Sequence, residues 1–93
     1  MTKGDLEQIK SWAFDRQART LVEISRLREK IFSLSNEISK EKKTKRKKVL
    51  KDILNTLLAN ESLFLEKLAF YKTIAKRAKD YLDSIYPEFP TLG

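Results

Sequence analysis

The chain has 93 residues, 20 Lys+Arg against 13 Asp+Glu, and neither Cys nor His. That excludes a disulfide framework, an ordinary zinc site and any Ser-His or Cys-His nucleophile. Two Gly and two Pro leave no Gly-rich phosphate loop, and 41% hydrophobic residues allow one modest core under a charged surface.

The first predicted element opens near Gly4. Asp5 is a candidate N-cap, with Gln8 three residues on as its reciprocal partner. Between Asp5 and Tyr86 the chain holds no Gly and no Pro, which favours helix over its whole length. Leu6, Ile9 and Ala13, then Leu21, Ile24, Leu27, Ile31, Leu34 and Ile38, follow helical spacing. The stripe is weakest where Arg16, Gln17 and Thr20 occupy its line. Asp15 and Arg19, and Glu41 and Lys45, are favourable i,i+4 pairs.

The charge excess sits in the middle of the chain. Lys40, Lys42, Lys43, Lys45, Arg46, Lys47, Lys48 and Lys51 surround a single acid, Glu41, so this window carries the whole net +7. Such a run suits phosphates, a polyanionic partner or an anionic membrane surface; the bland alternative is a solvated run that only aids solubility. The turn between helices falls in this region. Ser33, Ser35, Asn36, Ser39 and Thr44 are candidate caps. Four cations at 45–48 would oppose the positive end of a helix beginning there. The second helix is therefore expected to start earlier, near Ser35 or Ser39, or the run to be mostly loop.

A second stripe runs through Leu50, Ile53, Leu57, Phe64, Leu68, Tyr71, Ala75, Ala78, Leu82 and Ile85. It ends near Tyr86, because Pro87 disfavours helical geometry in its predecessor. A break at Ala59-Asn60-Glu61 would give a third helix. Residues 1–86 thus form one helical domain, and residues 87–93 an extended tail. The expected fold is all-α: an antiparallel hairpin of long amphipathic helices, or a three-helix bundle with a break near residue 60. Both faces carry extra apolar residues, more than a two-stranded seam requires. They call for a third helix, a homodimer or a protein partner. Trp12, the one tryptophan, is a core anchor or an interface residue. Phe89 and Leu92 in the tail suit a partner's groove.

Catalytic candidates are thin. Asp80 and Asp83 neighbour Lys76 and Lys79, so salt pairing explains them. No cofactor and no metal are expected, and the chain is read as a non-enzyme. No stretch approaches the ~18 apolar residues of a membrane span. With no signal peptide apparent, a cytoplasmic protein is expected. The lack of Cys and His with abundant Lys and Glu points to a thermophilic source.

The 93-residue length, the Lys40–Lys51 run and the Cys- and His-free composition resemble the small basic helical accessory subunit found with the crenarchaeal family-B replicative DNA polymerase. The resemblance spans the whole chain and carries over no residue role. It implies an archaeal, non-catalytic subunit that binds the polymerase and supports its activity or its hold on DNA. The basic run would then meet nucleic-acid phosphates without regard to sequence. Bacteriocin immunity proteins share the size and charge, as would a membrane-surface protein. Small helical chorismate mutases share the length, but their long first-helix pattern has no clear match here.

Overall fold

The structure, a computed structural model, describes residues 1–86. Two helices, α1 (Lys3–Lys40) and α2 (Thr44–Ile85), pack along their lengths as an antiparallel hairpin. Its extents are 74 × 24 × 14 Å, so it is a slab one helix layer thick. α2 runs unbroken through Asn60, and the hairpin form, not the three-helix form, is the one observed.

The packing follows a strict heptad. In α1 and its C-cap, Leu6, Lys10, Ala13, Gln17, Thr20, Ile24, Leu27, Ile31, Leu34, Ile38 and Glu41 are shielded from solvent, in alternating steps of four and three. In α2 the same alternation links Lys47, Leu50, Leu54, Leu57, Glu61, Phe64, Leu68, Tyr71, Ala75, Ala78 and Leu82. Within the helices only Ile9 and Ile74 are shielded outside this series. A sustained 3.5-residue repeat is the pattern of a left-handed coiled coil with a and d residues interlocked. Toward the end away from the turn the seam carries three small residues, Ala13, Ala75 and Ala78, with Leu6 and Leu82 buried at its extremity. Larger Ile, Leu and Phe residues fill the middle and the turn-proximal half. A well-buried Leu or Ile contributes about 1.5–3 kcal/mol. No large side chain is completely enclosed, however, so a single layer leaves the seam half-wet.

The stripes read from apolar residues alone are corrected at several places. Leu21, Ile53 and Ile85 are exposed, while Thr20, Leu54 and Glu61 hold the seam. Thr20 is tolerated there because its hydroxyl donates to the Arg16 carbonyl at 2.7 Å. Glu61 accepts from Arg28 Nε at 3.0 Å, the one ion pair between the helices among the described residues.

The ends also differ from expectation. The N-cap of α1 is Thr2, not Asp5. Thr2 Oγ1 accepts from the Asp5 N–H at 3.2 Å, and Asp5 Oδ2 accepts from the Thr2 N–H at 3.1 Å. This reciprocal pair is a capping box displaced three residues toward the N-terminus. α2 ends at Ile85 with Tyr86 as C-cap, and Pro87 follows, as read from the sequence.

Candidate nucleic-acid interface

The turn comprises only Glu41, Lys42 and Lys43, and α2 starts at Thr44 within the basic run. The expectation of an earlier start, or of a long basic loop, is overturned. What makes the start tenable is Glu41. Its backbone N–H closes α1 onto the Ile38 carbonyl at 3.2 Å. Its carboxylate accepts from the Lys43 N–H at 3.1 Å and pairs with Arg46 Nε at 3.0 Å. One acid thus ties the end of α1 to the first turn of α2. The sequence pairing of Glu41 with Lys45 is replaced by Glu41 with Arg46, because Glu41 lies outside α2 and the i,i+4 rule does not reach it. The Asp15–Arg19 pair is present at 3.0 Å.

The tip therefore concentrates all eight cations of the run. Lys40 closes α1, Lys42 and Lys43 form the turn, and Lys45, Arg46, Lys47, Lys48 and Lys51 occupy the first two turns of α2. Seven of the eight are exposed. Lys47 is the exception, since its heptad position turns it toward the seam. The N-cap Lys43 provides no side-chain cap, and the first turn holds no acid. The first helical hydrogen bond runs from Lys47 N–H to the Lys43 carbonyl at 2.9 Å, so the N–H groups of Thr44, Lys45 and Arg46 come before it. Lysines and the helix's positive end repel one another here, and an external anion relieves both at once.

The remaining candidates lie elsewhere. Trp12 is at the opposite end, neither buried nor free: it meets the Tyr71 ring edge-on at 5.5 Å, and the Arg16 guanidinium lies 5.9 Å from its centre. Phe89 and Leu92 lie outside the described residues. Phe70, which the sequence shows only as one of the extra apolar residues beside the second stripe, stands next to Tyr71 and is largely exposed. Its heptad position on the same broad face as Trp12 was the available signal. Among the described residues no three acidic side chains gather as a metal site. No described helix is long and apolar enough to cross a membrane. The pockets found there are open grooves along helix faces. No protein-family model, no curated protein and no solved structure matches the chain.

Proposed function

We propose that this protein is a non-catalytic accessory subunit of a DNA-processing assembly of the replicative-polymerase type. Its basic tip contacts DNA phosphates without regard to sequence. The broad face bearing Trp12 and Phe70, together with Phe89 and Leu92 of the tail, docks on a protein partner. One observation carries the reading: eight cations gather at one end of a slab whose remaining charges balance. Uncapped helical N–H groups lie among them and add short-range affinity for phosphate oxygens. No aromatic stands among the tip residues, so base stacking plays no part and duplex is the favoured form.

The test is DNA binding by the purified chain over a salt series. Each neutralised phosphate contributes about −0.9 to the slope of log K against log salt, so a slope near −5 is expected on duplex. Replacing four exposed lysines (Lys42→Gln, Lys43→Gln, Lys45→Gln and Lys48→Gln) should flatten the slope by about 3.5 with helicity unchanged. An unchanged slope, or binding to anionic vesicles without binding to DNA, overturns the proposal.

A further inference from the structure

In an antiparallel coiled coil the e positions of both helices flank the seam on one side and the g positions on the other. The hairpin therefore has two broad faces, and they differ. On the g side, α1 presents a mixture of charges. Lys30, Ser33 and Glu37 share a groove there with Ile53 and Leu57 of α2. At the positions flanking the seam on the e side, from Ser11 to Ser39, α1 carries one charged residue, Arg28, whose charge Glu61 already answers at 3.0 Å; Glu29 borders the groove at its outer edge beside Leu21 and Phe32. The facing stretch of α2, from Asn55 to Ala69, presents no charge on that side. In a chain that is 35% charged this strip is the exception. Phe14, Leu21 and Phe32 stand on it from α1, and Leu58 and Leu65 from α2, all of them 40–69% exposed. Ala18, Ser25, Ser62 and Ala69 separate them and leave room for inserted side chains.

The occupant that fits is a second copy of this chain. The reason is the symmetry of the strip. In α1, Phe14 and Phe32 are equidistant from residue 23, and Leu21 and Ser25 flank it closely. In α2, Leu58 and Leu65 are equidistant from the junction of Glu61 and Ser62. The short turn places that junction across the hairpin from residue 23. One two-fold axis across the slab passes through both midpoints. Stacking two slabs about it sets Phe14 against Phe32 of the second copy, Leu21 against its Ser25, and Leu58 against its Leu65. Large residues meet small ones near the axis, and Arg28 meets Ala18.

Area and charge agree with this arrangement. The chain exposes 7586 Å², whereas a compact monomer of 10.9 kDa exposes about 5,600 Å². The surplus, about 2,000 Å² per chain, follows from the single-layer shape and leaves surface to spare for a homodimer interface. The same axis sends the two basic tips to opposite ends of a rod at least 74 Å long. That is far beyond the ~8 Å reach of charge at physiological salt. Parallel stacking would instead press one +7 tip against the other. We infer that the protein is an antiparallel homodimer joined through this strip, whose one charge, Arg28, is already paired with Glu61.

Sedimentation equilibrium of the full chain should give twice the 10.9 kDa chain mass. Leu21→Glu with Leu65→Glu should halve it while helicity is retained, because both side chains are already half exposed in the single hairpin. Should that variant unfold, cross-linking still decides the matter, since the chain has no native cysteine. A mixture of Phe14→Cys chains and Phe32→Cys chains should form the mixed disulfide in preference to either self-pair. A monomeric native chain, a dimer indifferent to the two glutamates, or preferential self-pairing of Phe14→Cys would each overturn the inference.

Discussion

Single residues at the two ends of α1 show how little side-chain chemistry the termini need. The Thr2 backbone N–H and hydroxyl hold the Asp5 carboxyl below its ordinary range. A carboxyl whose pKa is lowered by folding adds stability above its unfolded value, and that stability is lost as pH falls through the folded one. The first turn of α1 should therefore fray in acid, below the usual aspartate range near ~3.9. Amide exchange at Asp5 and Leu6 followed against pH measures it, and Asp5→Asn, which removes the titrating carboxyl, should abolish the acid-dependent step. From the sequence, Asp5 with Gln8 and Thr2 with Asp5 are both legal capping boxes. The choice was not legible there, because either register leaves the hydrophobic stripe intact. Glu41 was unreadable for a related reason. Its role depends on a turn of three residues, and rules for neighbours on one helix do not cross such a turn.

At the scale of the element, the coiled-coil repeat explains what apolar counting missed. The five turn-proximal seam residues of α1, from Ile24 to Ile38, are all Ile or Leu and easily read. Continuing their alternation toward the N-terminus lands on Thr20, Gln17 and Lys10, which hydropathy passes over. Exposed Leu21 and Ile53 drew the reading off the seam because the chain is apolar on its flanks as well. Helix and hairpin were thus evident from the missing Gly and Pro, but the register was not. Ala13 tests the register directly. It is wholly enclosed, at the end where α2 also contributes only Ala75 and Ala78 to the buried seam between Tyr71 and Leu82. Ala13→Leu, apparently a gain of hydrophobic surface, should cost about 1–3 kcal/mol through overpacking. Denaturant unfolding checks this; a neutral or stabilising result would place residue 13 outside the seam.

At the scale of the whole molecule, charge is segregated. Three ion pairs occur among the described residues, each partly exposed and so worth about 0–1 kcal/mol. Against them stand eight crowded cations at the tip. Repulsion there outweighs the pairs, so salt should stabilise this fold. The melting temperature is expected to rise between about 0.01 M and about 0.1 M salt, as the screening length falls from ~30 to ~10 Å. A falling melting temperature would mean that the pairs dominate. The basic run was legible as a patch from composition alone. Its compression onto one end of a rod was not, because that required knowing that the turn is three residues long and that α2 begins inside the run.

The antiparallel path has a mechanical consequence. α1 begins and α2 ends at the same end of the slab, so tension applied through the two termini pulls the helices apart crosswise. The seam would then peel one layer at a time from the open end, first past Leu6 and Leu82 and then through the layers of Ala13, Ala75 and Ala78. Load applied between the tip and the termini runs along both helix axes and strains every layer together.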